Sequence, residues 1–592
     1  MRFLFTILSF FFTSVMMAVP AHRSWFSYQQ ADGTFLELMP IGDEHFHYYI
    51  TRDYVPVVDE NDAFYYAKVE NGKMMATSLL VHEQNRRTIG ERMTAEKAKS
   101  AFREVDFKRA SRPHRLPRQS NGAYIGSRKG LIILANFEDV KFEGYSEQSV
   151  DSIRQAYDDL VNLPGYTNSW GAIGSVHDYY YDQSNGLFDL EFDVVGPVNL
   201  SRPASFYGKN QFGFDINAGH MVVECCEAVD SQVNFADYDW DDDGNVEEVF
   251  VLYAGRGEST GGGTSTIWPH MWTLEESHAE NEDIPAQIVL DDRVVNVYAC
   301  SNEIYKPGIP MGLGVICHEF AHCLGLPDLY DTNTGNNYGM GNWSILDKGT
   351  YNGPNYIGWV PAGFTSYERN FVGWLDYTPL EKDTVVENMI PINEQDAKAY
   401  IIVNDSTPTE YYLLENRNNT RWDSYIPGKG LLIMHVDFDQ ELWDANYVNA
   451  TGYLVGNDHP RLTIFHADGS EYSDDDTYPY LDNDSLTDNS TPKAFLYNPN
   501  VDEEYLMHKP ITHIAWDDST ATISFQFLNL VIWPNPDAIV EEMSIKHNHA
   551  SKEVYRLDGT RLSTFDGAIN EPSQILIYRN EDGKATKKVI KR

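Results

Sequence analysis

Hydrophobic and polar positions divide the chain into segments with different predicted structure. Residues 22–107 and 381–528 carry short alternating runs separated by turn-forming pairs such as Asp32-Gly33, a pattern typical of antiparallel strands and hairpins. Between them, the almost continuous apolar run Leu131–Phe137 predicts a buried strand, and helical patterns follow it. Residues 529–592 add a few strand-like segments. We therefore predict a multidomain α+β protein, with an α/β domain between β-rich domains.

The first apolar run has the features of an export signal. Met1 and Arg2 precede a hydrophobic stretch from Phe3 to Val19, and Ala21 supplies a small residue for cleavage. The stretch is short for a membrane span. We predict that residues 1–21 are a signal peptide, and that the mature protein is secreted or held at the cell surface without a membrane span.

One stretch carries the strongest candidate chemistry. The apolar residues that precede His318 predict a buried helix, on which His318 and His322 lie one turn apart on the same face. The two imidazoles can therefore bind one metal ion. Glu319 lies beside them in the H-E-x-x-H arrangement of zinc hydrolases, where the glutamate is the general base.

A catalytic zinc site needs three protein ligands and an open position for water, so one ligand remains to be found. Gly325 can end the helix in a left-handed conformation, and Pro327 prevents it from resuming. Asp328 is the first carboxylate after this turn, and it is the predicted third ligand. A more distant glutamate, Glu368, is the alternative.

The motif H-E-x-x-H-x-x-G-x-x-D, followed by Leu329-Tyr330-Asp331, resembles the immune inhibitor A family of secreted bacterial metallopeptidases, which are metzincin-like zinc proteases. Gly341–Leu346 is similar to a Trp-containing family segment that ends in a methionine under the zinc, and here Leu346 replaces that methionine. Further similar blocks extend the resemblance over most of the chain, at Asp178–Tyr180, Asp193–Pro197 and Gly428–Ile433. The resemblance implies protein or peptide substrates and an N-terminal prodomain that keeps the enzyme latent.

We predict six segments in chain order. They are a signal peptide (1–21), an N-terminal prodomain-like domain (22–107), a basic linker (108–122), a zinc metallopeptidase catalytic domain (123–380), a β-sandwich domain (381–528) and a small β domain (529–592). The linker is either the cleavage site of an activating protease or a solvated hinge. The last domain ends in a basic tail and resembles a sorting domain of type IX secretion.

Latency needs a group that blocks the zinc before export. The segment 22–107 has no cysteine, which excludes a thiol bound to the metal. His45, His47 and His82 are candidates by residue type alone, and ordinary packed or exposed roles are more common for each.

A second cluster of acidic residues predicts a calcium site. Asp239, Asp241 and Asp243 alternate along the chain before Gly244, as in the first half of a calcium-binding loop, and Glu247 can complete the shell. So many acidic groups repel each other unless a cation lies among them. The alternative is a charged turn before the following strand.

Net charge limits the class of partner. The 592 residues include 88 acidic and 45 basic side chains, which gives a formal net charge of -43. Nucleic acid binding is excluded on this ground, because phosphates demand Lys and Arg. Acidity also suits solubility outside the cell and calcium binding. Five cysteines, an odd and small number, imply no disulfide framework.

These observations predict a secreted zinc endopeptidase that is made as a zymogen, with Zn2+ and Ca2+ as cofactors. Tyr338 and Tyr351 lie downstream of the zinc motif, where a donor to the oxyanion could come from. The alternative is a surface-binding protein with a weakly active or inactive protease domain. Leu346 favours that alternative, and the intact Glu319 argues against it.

Overall fold

The computed structural model describes most of the chain between residues 20 and 528, and four short segments beyond it. Within 20–528, the residues outside the description are 23–24, 43–46, 61–62, 71–72, 102–123, 212–213, 334, 336, 453–454 and 472–475. The segments beyond are 553–556, 561–562, 574–579 and 585–590. Almost all of the predicted signal peptide, the whole predicted linker 108–122 and His45 lie outside the described residues. The chain groups into two compact units, 1–529 and 530–592.

An antiparallel sheet forms the N-terminal part, and its six strands neighbour each other in chain order. The elements are β1 (Phe26–Gln29), β2 (Phe35–Gly42), β3 (His47–Thr51), β4 (Pro56–Asp59), β5 (Phe64–Glu70), β6 (Lys73–Leu80) and the helix α1 (Ile89–Ala101). Gly33 lies in the β1–β2 turn with a φ of 83°, a left-handed conformation that glycine adopts without strain. The predicted hairpin at Asp32-Gly33 is therefore present.

The helix α1 covers this sheet, and the alternating pattern does not predict it. Ala95 and Ala98 of α1 pack on a core that includes Leu36 and Phe64. The local signal for α1 is a capping box, in which the backbone N–H of Thr88 donates to the Glu91 carboxyl group and the Glu91 N–H donates to the Thr88 hydroxyl.

A mainly parallel sheet organises the central part, with strand order β12-β15-β11-β7-β8. Its strands are β7 (Gly126–Asn136), β8 (Phe188–Asn199), β11 (Val249–Arg256), β12 (His270–Thr273) and β15 (Val297–Lys306). The smaller strands are β9 (Asn210–Gln211), β10 (Phe214–Asp215), β13 (Ile288–Leu290), β14 (Arg293–Val295) and β16 (Ile309–Pro310). The helices are α2 (Val150–Asn162), α3 (Val176–Gln183), α4 (Ala204–Tyr207), α5 (Ala218–Val229), α6 (Leu274–Glu280), α7 (Gly314–Cys323) and α8 (Ser366–Phe371).

Helices cover both faces of this sheet. Successive residues of a strand point to opposite sides, so each strand contributes to both cores. In β7, Ile132 and Leu134 face a core that contains Phe320 of α7. Leu131 and Ile133 face the other core, with α5. The apolar run therefore forms a strand buried on both sides, as predicted.

Two further sheets share a core in the part that follows, and the larger one has strand order β17-β19-β20-β21-β22. The elements are β17 (Tyr377–Pro379), β18 (Thr384–Met389), β19 (Ala399–Val403), β20 (Glu410–Arg417), β21 (Gly430–Asp437), α9 (Gln440–Asp444), β22 (Leu462–Ile464), β23 (Ile511–Asp517) and β24 (Thr522–Phe527). Leu414 and Ile433 face the smaller sheet, whereas Leu413 and Met434 join the core of the α7 face. The larger sheet is thus buried on both faces, between the smaller sheet and the central domain.

The second compact unit contains a four-stranded antiparallel sheet with strand order β26-β25-β27-β28. Its strands are β25 (Glu553–Arg556), β26 (Arg561–Leu562), β27 (Gln574–Arg579) and β28 (Ala585–Ile590). The described part of the chain therefore has the mixed α+β architecture predicted from the pattern. Among the described helices, each is too short or too polar to span a bilayer.

Candidate metal centre

The helix α7 carries the H-E-x-x-H residues, and all ten of its residues are buried. Its close approach to the chain at residue 350 depends on Gly314, because a Cβ there would lie 1.9 Å from the carbonyl oxygen of Thr350. The helix ends as the sequence indicates. Gly325 has a φ of 81°, and its N–H donates to the carbonyl oxygen of His322.

Three predicted ligands meet beside α7. The Nε2 atoms of His318 and His322 are 3.0 Å apart, and Asp328 Oδ1 lies 3.2 Å from the first and 3.5 Å from the second. Ligand atoms on a tetrahedral Zn2+ with bonds of about 2.0 to 2.2 Å are separated by about 3.3 to 3.6 Å. The donor set of two imidazoles and one carboxylate also suits zinc, so the residues fit this ion.

Backbone carbonyl groups fix the orientation of both imidazoles. His318 Nδ1 lies 2.7 Å from the carbonyl oxygen of Ile345, and His322 Nδ1 lies 2.8 Å from that of Leu326. A carbonyl oxygen can only accept, so each Nδ1 must carry the proton, and each Nε2 lone pair is left for a metal. Burial also lowers the pKa of His322 to about 4, which keeps its ring neutral at physiological pH.

A residue of the following domain contacts Asp328, the predicted third ligand. Asn446 Nδ2 donates to Asp328 Oδ2 at 2.7 Å, and the backbone N–H of Asp328 donates to Asn446 Oδ1 at 2.8 Å. Burial raises the pKa of Asp328, but His322, His318 and the Asn446 amide outweigh this effect, and the pKa lies below its ordinary value. Asp328 is therefore held in its ionised form, the form that a metal ion would require.

Glu319 is fully buried next to the two histidines. One of its carboxyl oxygens lies within 4.8 Å of a ring nitrogen of each histidine. The Ile345 carbonyl group that orients His318 belongs to the segment predicted to lie under the zinc. Leu346 itself is buried there, and its carbonyl oxygen accepts from the Leu329 N–H at 2.8 Å. Its side chain belongs to the apolar core on the α7 face.

The alternative third ligand, Glu368, has a different role in this structure. It is the third residue of α8, where its carboxyl group accepts from the Thr365 N–H and completes a capping box. Its other oxygen accepts from the Ser344 hydroxyl group. Both carboxyl oxygens of Glu368 are therefore engaged away from the histidines, and the geometry favours Asp328.

Part of the predicted calcium loop forms a compact acidic group. Oxygens of Asp239, Asp241 and Glu247 lie within 4.8 Å of one another. Burial raises the pKa of Glu247 to about 8, and the neighbouring Asp241 adds to this rise. The fourth predicted ligand, Asp243, is not part of this group. Its Oδ1 accepts from the backbone N–H and the side-chain amide of Asn245.

A basic residue that the pattern does not reveal reaches the same loop. Arg293 Nε lies 2.6 Å from Asp239 Oδ2, and a terminal nitrogen of Arg293 lies 3.6 Å from Asp242 Oδ1. The repulsion among the acidic groups is therefore partly relieved by the protein itself. A calcium ion at this loop would have to share Asp239 with the guanidinium group.

The two tyrosines considered as oxyanion donors differ in position. Tyr351 is buried, and the Glu319 charge adds to the effect of burial in raising its pKa. Its hydroxyl group donates to the carbonyl oxygen of Pro20 at 2.9 Å. Tyr338 instead packs edge-on against His466. All five cysteines are buried and carry free thiols.

Comparison with known proteins places the central domain. Residues 122–375 match the family profile described as the catalytic domain of immune inhibitor A peptidase M6. The chain is 28% identical over 313 residues to the pre-pro-metalloprotease PrtV of Vibrio cholerae serotype O1, covering 46% of this chain and 32% of that protein. It is 26% identical over 273 residues to immune inhibitor A of Bacillus thuringiensis subsp. alesti, covering 41% and 39%.

The aligned regions thus span only about a third of each relative's length. The matched segment 122–375 contains α7, both histidines, Glu319 and Asp328. The resemblance read from the zinc motif is confirmed by this match. The segment that brings these four residues together is thus similar to the catalytic domain of the immune inhibitor A (M6) metallopeptidases.

Proposed function

We propose that this protein is a secreted, zinc-dependent endopeptidase that hydrolyses peptide bonds of proteins and is made as a zymogen. The observation that carries the proposal is the convergence of three buried donor atoms, from His318, His322 and Asp328, with Glu319 beside them. The V. cholerae relative is named a pre-pro-metalloprotease, which agrees with export and processing.

Each residue of the centre has a separate task. His318, His322 and Asp328 would hold Zn2+. When bound, this ion supplies Lewis-acid polarisation of the scissile carbonyl group and lowers the pKa of water toward about 7. Glu319 accepts the proton of the attacking water at its carboxylate and then donates it to the leaving amine.

Contacts between the N-terminal domain and the catalytic domain support the proposal that the protein is made as a zymogen. His47 Nε2 lies 2.8 Å from Glu258 Oε1, both side chains are buried, and the His47 ring stacks on Trp268 at 4.4 Å. The Tyr49 hydroxyl group donates to the same Glu258 oxygen at 3.3 Å. Of the three histidine candidates, His47 thus binds the catalytic domain, although it does not reach the metal ligands as a latch would.

Residues 20–22 contact Tyr351, a buried residue downstream of the zinc motif. This segment occupies the hydroxyl group of Tyr351 through the Pro20 carbonyl oxygen, and the His22 ring packs against Tyr351 at 4.9 Å. The His22 N–H donates to the carbonyl oxygen of Ser259. The predicted cut after Ala21 would remove Pro20 and its contact, so in the exported precursor His22 is the residue of this segment that packs against Tyr351. We therefore assign latency to occlusion of the site by the N-terminal domain.

Calcium is the second cofactor of the proposal, at Asp239, Asp241 and Glu247. A divalent cation would stabilise the ionised form of Glu247, whose pKa is raised in its absence. The acidic group lies after α5 and before β11, so binding would brace the connection into the central sheet.

The decisive experiment replaces the general base. Glu319→Gln keeps the size of the side chain and removes its ability to accept a proton. We expect zinc content to stay at wild-type level and the hydrolysis of unfolded protein to fall by about 10²- to 10⁴-fold, or about 3 to 5 kcal/mol in activation free energy. Wild-type turnover by this variant would refute the mechanism. An enzyme whose activity survives removal of metal by a chelator would refute the zinc dependence.

A further inference from the structure

The third zinc ligand is held from outside the matched catalytic domain. Asn446 follows α9 in the domain that contains the larger of the two C-terminal sheets, 118 residues after Asp328. Its carboxamide makes a reciprocal pair of hydrogen bonds with Asp328, donating to Oδ2 and accepting from the backbone N–H. Both residues are fully buried, so the pair forms without competition from water.

The position of Asn446 is itself strongly determined. It has a φ of 51°, a left-handed conformation that asparagine tolerates better than most residues. Its N–H donates to the carbonyl oxygen of Trp443 at the end of α9, and its own carbonyl oxygen accepts from the Thr332 hydroxyl group at 2.6 Å. The backbone of Asn446 is therefore fixed on both sides, and the amide cannot follow Asp328 if that side chain moves.

We propose that Asn446 is a positioning residue of the metal centre. It engages Oδ2 of Asp328 and thereby leaves Oδ1 to face His318 and His322. Residues that orient a metal ligand in this way commonly contribute 10- to 100-fold to metal affinity. The inference rests on the proposed function, because it assumes that Asp328 is a ligand. It adds that the domain after residue 380 completes the site.

The proposal requires the side-chain amide of Asn446, and an isosteric substitution of this residue tests that requirement. Asn446→Asp keeps the shape and the acceptor for the Asp328 N–H, but it places a carboxyl oxygen against Asp328 Oδ2, where the amide donated at 2.7 Å. We expect the full-length variant to bind Co2+ and Zn2+ about 10- to 100-fold more weakly than wild type. The measurements are competition with a metal chelator, and the visible absorption spectrum of bound Co2+.

A matched control separates positioning from general stability. Asn449 is equally buried and joins the same two regions, but its amide donates to the carbonyl oxygens of Leu329 and Leu462 and does not touch Asp328. Asn449→Asp should lower the melting temperature and leave metal affinity near the wild-type value. Equal loss of metal affinity in both variants would overturn the inference, as would wild-type affinity in Asn446→Asp.

If Asn446→Asp does not fold, Asn446→Gly decides by the same measurement. Glycine keeps the left-handed backbone and removes only the amide, so weaker metal binding is again expected, and unchanged binding refutes the inference. Metal binding by the wild-type protein separates failure of the proposed function from failure of the positioning role. If it binds neither ion, the proposed function fails. If it binds both and Asn446→Asp binds them equally well, only the positioning role fails.

Discussion

The docking of the N-terminal domain can be weakened at a single buried histidine. His47→Ala removes the shortest contact of Glu258, at 2.8 Å, and leaves this carboxyl group with longer contacts to Tyr49 and Asn210, each at 3.3 Å. It also removes the ring stacked on Trp268. The prediction is that the precursor then exposes its active site more often and gains peptidase activity.

The size of this effect follows from the hydrogen bond and the ring stacking that the substitution removes. Leaving a buried acceptor without its main partner costs about 1 to 3 kcal/mol, and loss of an aromatic stacking pair costs about 0.5 to 1.5 kcal/mol. The docking equilibrium should therefore shift by about 1.5 to 4.5 kcal/mol, which corresponds to about 10- to 2,000-fold more of the undocked form. Precursor activity should rise by a factor of this order, until undocked molecules predominate.

Two measurements on uncut protein test the prediction. One is the activity of the precursor on a quenched protein substrate, with mass spectrometry to show that the chain is intact. The other is hydrogen exchange of residues 257–268 in a Glu319→Gln background, which cannot process itself. His82→Ala is the matched control, because His82 binds Asp32 and Glu91 within the N-terminal domain. Equal activation by both variants, or no activation by His47→Ala, would refute the docking argument.

Three further predictions concern the metal sites and a buried acid. Asp328→Asn should weaken Zn2+ binding by more than the 10- to 100-fold expected of an orienting residue, whereas Glu368→Gln should lower stability and leave the metal content intact. Asp241→Asn should lower the melting temperature in Ca2+ but not in excess chelator. Glu248 is buried without a hydrogen-bond partner, and burial raises its pKa well above 4.5. Its cost in stability is absent below the unfolded-state pKa and grows as the pH rises above it, so Glu248→Gln should be increasingly stabilising from about pH 5 to pH 8.

Each of these has a contrary outcome. Zinc loss in Glu368→Gln without loss in Asp328→Asn would make Glu368 the ligand. Asp243→Asn is the control for calcium. A larger Ca2+-dependent fall in melting temperature in Asp243→Asn than in Asp241→Asn would refute the assignment of the calcium site to Asp239, Asp241 and Glu247. For the buried acid, denaturant unfolding at several pH values gives the comparison. A stability difference from wild type that does not grow with pH would show that Glu248 is not held neutral by burial.

The zinc motif could be predicted because its residues lie close together in the sequence. His318 and His322 are one helical turn apart, and Asp328 follows after a glycine turn, so chain geometry alone brings the three residues close. Short-range capping likewise marks α1 through Thr88 and Glu91, although an alternating strand pattern hides it. Such features depend on a few consecutive residues, and a single sequence contains them.

Long-range partners could not be predicted in this way. Asn446 lies 118 residues from Asp328, and Glu258 lies 211 residues from His47, with no pattern that relates them. Arg293 lies in β14, far from the acidic loop in the sequence, and it forms an ion pair with Asp239. The sequence also predicted a β-sandwich, but it did not indicate that one of the sheets is buried on both faces. The apolar residues of β21 are equally compatible with a strand in an isolated sandwich.

The doubly buried sheet and Asn446 bear on when the proposed metal centre is completed as the chain folds. A chain that has emerged only as far as residue 375 already contains His318, Glu319, His322 and Asp328, but it lacks the sheet that covers the α7 face and the amide that holds Asp328. The active centre is therefore completed late, after the chain beyond residue 446 has folded back. On the proposed function, a chain that stops before residue 446 would hold its metal weakly and would be a poor protease.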